Sequence, residues 1–284
     1  MQYEPEVLSR LHRELVEILE EIIRICGVLN IPYFIQGGTA IGALFNGGFV
    51  PWDDDIDIGM LREDYSRFIR EAPAVINPQY EIQCFEYEPR TPCYWVKIMK
   101  RGTLFVMDEW VNLPISKGIF IDIFPYDNVP NALWKEKVHR CLISFVQALF
   151  VNKQNGKKWL EVRLTSRKVP RFIALPLEYI YSALPSLFPR KSLFSILTKL
   201  QTWYNDRKCK FVNIVLMPKD HIPVEDVYNT VEVKFDRLTV KAPNHMDDYL
   251  RHHYPWLTPI PPKDKQVNHK PLIIDFGDEK DSGY

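Results

Sequence analysis

The chain has no excess of charge of either sign: 36 lysines and arginines stand against 36 aspartates and glutamates. Without a basic surplus, nucleic acid is not expected as its main partner. No secretory leader is expected either, because Glu and Arg recur through the first twenty-six residues, where a signal needs an unbroken apolar core. The expectation is a cytoplasmic protein. Long apolar runs are lacking too. The longest, Phe172 to Phe188, is interrupted by Pro176, Glu178 and Pro185 and falls short of the ~20 residues that span a bilayer. Cysteine is sparse: Cys26, Cys84, Cys93, Cys141 and Cys209 form an odd set at wide, irregular spacings. That suits reduced structural thiols and neither a disulfide framework nor a zinc site. Internal repeats and low-complexity tracts are absent.

What the chain does have is periodicity. Leu8, Leu11, Leu15, Ile18, Leu19, Ile22 and Cys26 recur at three- and four-residue steps with charges between them, which predicts an amphipathic helix stopping at Gly27. Ile31 to Gln36 reads as a short buried strand, broken by Gly37-Gly38, after which Thr39 can cap a helix through Ala40, Ile41, Ala43 and Leu44. Pro51 precedes a second strand, Asp55 to Ile58, and then a helix in which Tyr65, Phe68 and Ile69 share a face. Tyr94 to Lys100 and Thr103 to Met107 predict a hairpin turning at Arg101-Gly102, and Ile119 to Phe124 a further strand. The fold class is therefore α+β, a mixed β-sheet core flanked by helices.

Length permits a catalytic domain carrying an insertion. The expected division is a core over residues 1–130, a helical module over 131–216, and a segment over 217–284 that returns to the core. In the module, Trp134, Val138, Cys141, Leu142, Phe145 and Leu149 form an apolar stripe. Between residues 151 and 200 it carries ten basic side chains against Glu161 and Glu178, a local net charge of +8. An anionic membrane surface or anionic glycan is a natural neighbour, a solvated basic face the plainer reading.

The chemistry points to Pro51-Trp52-Asp53-Asp54-Asp55-Ile56-Asp57-Ile58. In an extended segment side chains alternate, so Asp55 and Asp57 project together, their α-carbons ~6.6 Å apart, while Ile56 and Ile58 enter the core. Asp53 joins them if the strand starts early. Asp122, in Gly118-Ile119-Phe120-Ile121-Asp122-Ile123-Phe124, shares a face with Phe120 and Phe124, where a carboxylate needs a positive partner. If the two strands are neighbours, three carboxylates converge, and a hard divalent cation, Mg²⁺ or Mn²⁺, resolves their repulsion. A solvated acidic turn or a calcium loop is the alternative, but a calcium loop needs glycine at its bend and a distant bidentate acid. Gly37-Gly38-Thr39, opening a helix shortly before the acidic strand, can supply free N–H groups to a phosphate.

Gly-Gly followed by an Asp-x-Asp strand resembles the nucleotidyltransferase superfamily. More narrowly, GGTAIGALFNGGFVPWDDDIDIGMLREDYSRF is similar to the signature of the LicD family of phosphocholine transferases, whose wider group includes fukutin-related sugar-phosphate transferases. FIDIFPYD resembles its second acidic strand, and Val233 to His269 its C-terminal motif. The likeness covers residues 6–128 and 233–270. It implies a nucleotidyltransferase-like core, metal-binding and catalytic roles for Asp53, Asp55, Asp57 and Asp122, and substrate contacts from Gly37, Gly38, Thr39, Arg62, Lys97 and His269; Lys97 and Thr103 fall where the family has a Lys and a Thr. It departs from the family at Phe45-Asn46-Gly47, usually Arg-His-Lys, at Pro255, where glycine is common, and at Asp236, usually Glu. The departures bear on substrate identity.

The implied reaction takes a CDP-alcohol, with CDP-choline as the type donor, and moves its phospho-alcohol to a hydroxyl of a cell-surface glycan such as lipopolysaccharide or teichoic acid, or of a lipid-linked precursor, releasing CMP. This would occur in the cytoplasm or at the inner face of the membrane. Rival readings are an NMP transferase, an Asp-x-Asp glycosyltransferase, and a non-catalytic metal-dependent glycan-binding protein.

Overall fold

A computed structural model describes residues 3–155, 183–214, 221–260, 262–263, 266 and 268–277. The run from Phe172 to Ser182, and Lys157, Lys158, Arg163, Arg167, Lys168 and Arg171 of the basic tract, lie outside the described residues.

The first amphipathic repeat forms α1 (Pro5–Leu29), which buries Leu11, Leu15, Ile18, Leu19 and Ile22. Gly27 does not stop it. Asn30 does, in the left-handed conformation (φ 49°), with the Ile31 N–H returning to the Cys26 carbonyl at 2.9 Å. Asparagine tolerates that conformation, whereas Gly27 remains helical on an open face.

Five strands form the main sheet in the order β1 (Phe34–Ile35), β2 (Asp57–Leu61), β6 (Phe120–Asn128), β4 (Val96–Lys100) and β3 (Tyr80–Gln83). β7 (Phe211–Asn213) adds to β6, and β8 (Ile222–Pro223) to β7. β2 and β6 run parallel while the other pairings are antiparallel, so the sheet is mixed. Two small ribbons complete the strands: β5 (Leu104–Val106) with β11 (Ile273–Asp275), and β9 (Val231–Phe235) with β10 (Leu238–Ala242). α2 (Gly37–Asn46) and α3 (Arg62–Glu71) flank β2, and Tyr65, Phe68 and Ile69 are the buried face of α3.

Several expected boundaries move. β1 keeps two residues of the expected six, and β2 begins at Asp57, although the Ile56 carbonyl already accepts the Asp122 N–H at 3.2 Å. The expected hairpin does not form. Gly102 makes its turn (φ 77°), but both edges of β4 are taken by β3 and β6, so β5 leaves the sheet and pairs with β11. Thr103 fastens the turn: its hydroxyl donates to the Lys100 carbonyl at 2.8 Å and accepts the Ile119 N–H at 2.9 Å.

α4 (Leu133–Asn155) and α5 (Arg190–Gln201) pack together, and Ile143, Leu149, Phe150, Leu193 and Leu197 make a second apolar cluster with Phe85 and Tyr94. Most of the stripe read on α4 is not its buried face: Trp134, Val138, Cys141, Leu142 and Phe145 are exposed, Leu149 is buried, and His139, Ile143 and Phe150 turn inward. Two basic residues of the tract are consumed internally. Lys153 donates to the Pro185 and Phe188 carbonyls, and Arg190 to those of Pro89 and Thr91 while its guanidinium covers the Phe150 ring. β7 lies within the stretch assigned to the helical module, yet belongs to the main sheet. α6 (Val224–Tyr228) follows β8, and α7 (Met246–His253) follows β10. No helix of the described residues is long and apolar enough to cross a membrane. All five cysteines are free, and Cys26, Cys84 and Cys93 are buried.

Candidate active site

Burial alternates with period two from Asp53 to Ile58, although the ladder starts only at Asp57. Asp54, Ile56 and Ile58 are buried while Asp53, Asp55 and Asp57 are half-buried. The parallel register of β2 and β6 sets Asp57 opposite Asp122, and the antiparallel register of β6 and β4 sets Asp122 opposite Lys97. Asp55, Asp57, Lys97, Asp122 and His269 thus line one cavity of about 270 Å³, walled by Trp95, Trp110, Phe120 and Phe124 and roofed by Leu11 and Leu15 of α1.

The Gly-Gly turn serves this cluster through close approach. Gly37 takes a left-handed φ of 56°, and α2 starts there with Gln36 as its N-cap. A Cβ on Gly38 would lie 2.6 Å from an Asp53 oxygen, so a larger residue there would displace the Asp53 carboxylate. Thr39 does not cap the helix. Its Oγ1 accepts the Asp57 N–H at 2.8 Å, pinning β2 to α2 from inside the first turn.

Lys97 is neither at an edge nor on the surface. It is 1% exposed, bonded to Asp122 Oδ1 at 2.5 Å, and stands 3.3 Å from the Phe120 ring centroid. Trp95 Nε1 donates to the same oxygen at 2.7 Å. Oδ2 of Asp122 accepts no hydrogen bond among the described residues. Burial pushes Asp122 up and Lys97 pulls it back, and it settles above the usual carboxylate range. Burial and then Asp55 and Asp122 push Asp57 well up, while burial and then Asp55 and Asp54 do the same to Asp53.

Asp54 is the residue that sequence reasoning passed over. Buried, it accepts the Tyr3 hydroxyl at 2.6 Å and the His269 N–H at 2.9 Å. His269 Nδ1 comes within 3.4 Å of Asp55 and 3.7 Å of Asp54, and those two carboxylates push its imidazole up. Arg62 is a correction. It lies outside the cavity lining, its guanidinium held by Asp127 and, at 3.2 Å, by Gln201. Its partner is the buried last residue of FIDIFPYD, a pairing across 65 residues that the sequence does not signal. Trp95 and Trp110 were also missed, though Trp95 shares the Lys97 face at a two-residue spacing.

The donor set is short of positive charge: three carboxylates are driven up by burial and repulsion with Lys97 already present. All-oxygen ligands with an anionic surplus fit a hard divalent ion. Among the described residues the trio whose ligand atoms lie within 4.8 Å of one another is Asp54, Asp55 and His269, not Asp55, Asp57 and Asp122.

The LicD/FKTN/FKRP nucleotidyltransferase-domain family model matches residues 30–148, which contain every carboxylate of this cluster. Over those residues the chain is similar to the LicD-family domain. The chain is 26% identical over 264 residues to the lipopolysaccharide cholinephosphotransferase LicD of Haemophilus influenzae, covering 89% of this chain and 92% of that protein. It is 33% identical over 52 residues to the ribitol 5-phosphate transferase FKRP of human and mouse, 18% of this chain and 10% of theirs. An uncharacterized protein of Rickettsia typhi shares 41% over 54 residues, 18% of its length. The chain is thus similar to phosphotransferases of the LicD family.

Proposed function

We propose that this chain is a metal-dependent transferase of nucleotidyltransferase-like fold, moving a phospho-alcohol group from a CDP-activated donor to a hydroxyl of a cell-surface glycan or its lipid-linked precursor. The observation that carries the reading is the shared cavity of Asp55, Asp57 and Asp122, with Lys97 fixed on one oxygen of Asp122. Relatives named for cholinephosphate and ribitol 5-phosphate transfer supply the class of donor.

Asp55, Asp57 and Asp122, with Asp53 beside them, would hold Mg²⁺ or Mn²⁺, which when bound neutralises the donor's phosphates. Lys97 and Trp95 orient Asp122 and leave Oδ2 to accept the proton of the acceptor hydroxyl. The acceptor oxygen bonds to the distal phosphorus, the bond from that phosphorus to the CMP oxygen breaks, and CMP leaves with the electron pair. The aromatic walls exclude water from the reacting centre. Positioning and charge neutralisation dominate, since phosphoryl transfer asks little covalent chemistry of the protein. The α2 N-terminus after Gly37-Gly38 is proposed as the phosphate cradle. What is left of the basic tract is proposed to meet an anionic membrane face in the cytoplasm.

CDP-choline, CDP-ribitol and CDP-glycerol with Mg²⁺, screened by thermal shift, identify the donor, since a ligand at 100-fold its Kd stabilises by about 2.7 kcal/mol. CMP release with a transferred phospho-alcohol supports this reading; pyrophosphate release supports NMP transfer. Asp55→Asn and Asp122→Asn are expected to lose turnover with an unchanged circular dichroism spectrum, and a wild-type rate in Asp55→Asn refutes the assignment.

A further inference from the structure

On the other side of the acidic loop lies a larger opening, a groove of about 880 Å³. The loop itself is the partition. Trp52 lines the groove, and Asp54 and Asp55 line the cavity; Asn268 and His269 divide in the same way. α1 gives Leu8 and His12 to the groove, Leu11 and Leu15 to the cavity. Three separate segments therefore each show one side to either opening, and the two openings share a wall.

That wall is firmly built. The His12 ring stacks on Phe49 at 3.8 Å between centroids and 3° between planes, and its Nε2–H donates to the Asp53 carbonyl at 2.7 Å. Tyr3 is fixed by its hydroxyl to Asp54. At the far edge, the β9–β10 turn brings Lys234 and Arg237 into the lining, and the Asp236 N–H anchors it to the Gly47 carbonyl at 2.7 Å. Arg237 is paired with the exposed Glu20, whereas Lys234 has no ion-pair partner among the described residues.

The lining offers groups that a carbohydrate can use. Aromatic faces such as Trp52 stack on the apolar side of a sugar ring, a side-chain amide such as Asn268 bonds its hydroxyls, and at one edge the Lys234 ammonium and Arg237 guanidinium outnumber the single lining carboxylate, Asp236, and can meet an anionic substituent. A donor must reach Asp55, Asp57 and Asp122, all of which line the cavity and none the groove. An acceptor needs a second compartment against the same loop, and the groove is one. We propose that the groove binds the acceptor as a saccharide bearing an anionic group such as a phosphate, its attacking hydroxyl presented at the edge of the acidic loop. The assignment of acceptor to groove rests on the transferase reading above.

The test is a titration of the full chain, ¹⁵N-labelled at tryptophan, with trehalose 6-phosphate and with trehalose, which differ only in the phosphate. The Trp52 indole resonance, assigned from its loss in Trp52→Phe, is expected to shift, with the Trp95 indole unmoved. Trehalose 6-phosphate is expected to bind more tightly, and Lys234→Ala with Arg237→Ala to weaken it roughly tenfold without altering trehalose. A silent Trp52 at about 10 mM of either sugar, enough to fill a millimolar site, overturns the proposal. So does a response of Trp95 in place of Trp52, or a double variant that still prefers the phosphorylated sugar. Because the titration needs no turnover, the two readings fail separately. If the groove is wrong, Trp52 is silent while CMP release persists; if the transferase is wrong, CMP release is absent while Trp52 responds, and the groove loses its acceptor role.

Discussion

Lys97→Met isolates the electrostatic centre of the cavity. The side chain is 1% exposed and its ammonium bonds Asp122, itself 13% exposed. Methionine keeps much of the volume against Phe120 and removes only the charge. Stripping one partner from a buried pair costs about 3–5 kcal/mol, because the other charge is left uncompensated. Asp122 has an escape, since it already titrates above the usual range and can take up a proton. Without Lys97 it rises further, and each unit by which the native value exceeds the unfolded one costs about 1.4 kcal/mol once the pH has passed both. The sign follows. A carboxyl raised in the native state binds a proton that the unfolded chain releases near pH 4, so the variant loses stability as pH rises from about 4 to the new native value and is flat above it. Urea unfolding followed by tryptophan fluorescence is expected to show a deficit of about 3 kcal/mol at pH 8 that narrows toward pH 5. Adding Asp122→Asn removes the buried charge and is expected to recover most of the loss. A deficit that does not change with pH, or a double variant no better than the single, refutes the reasoning.

Three further outcomes are expected. Gly59→Ala places a Cβ 2.3 Å from the Phe34 ring and 2.8 Å from that of Tyr126, two rings packed edge to face in the core, so a loss of about 1–3 kcal/mol should appear in urea unfolding; an unchanged midpoint would contradict the packing. Arg62→Met leaves buried Asp127 without its cation and should cost about 3 kcal/mol while the donor KM stays the same; a raised KM without a stability loss returns Arg62 to the substrate. Burial pushes Glu21 up, but hydrogen bonds from Arg24 and from the Asn77 N–H outweigh it and hold it below the ordinary value. Its contribution is present above the unfolded value near 4.3 and disappears as pH falls through the depressed native one. The stability gap between wild type and Glu21→Gln should therefore close between pH 6 and roughly pH 3; a gap of the same size at both ends would show that Glu21 acts by packing.

How much was legible in the chain depended on the range of the interaction. The α1 repeat, the buried triad of α3 and the alternation of Asp53 to Ile58 are set by neighbours a few residues apart, and they appear as read. Asp57 facing Asp122 required a guess that two strands pair, and their alternating patterns supported it. Edge competition is different in kind. Nothing in Tyr94 to Met107 tells that β3 and β6 occupy both sides of β4, and so a good hairpin turn is followed by a strand that leaves the sheet. The α4 stripe failed for a related reason: the helix faces Phe85 and α5 rather than a solvent-separated core, and those partners lie far off in sequence.

Asp54 shows why the acidic run cannot be read as one group of like residues. Its neighbours Asp53 and Asp55 point away from the core side, and it alone turns inward, where Tyr3 reaches it across 51 residues and His269 across 215. A buried carboxylate with only apolar neighbours would protonate or destabilise the fold, and here two donors from opposite ends of the chain satisfy it. The consequence is mechanical. Tyr3, just before α1, and His269 are both fastened to the loop that lines the cavity, so the position of Asp55 depends on where these two segments pack. Asp54→Ala should then disturb activity through Asp55 and His269, and its defect should differ from that of Asp55→Asn in releasing Tyr3 from the acidic loop.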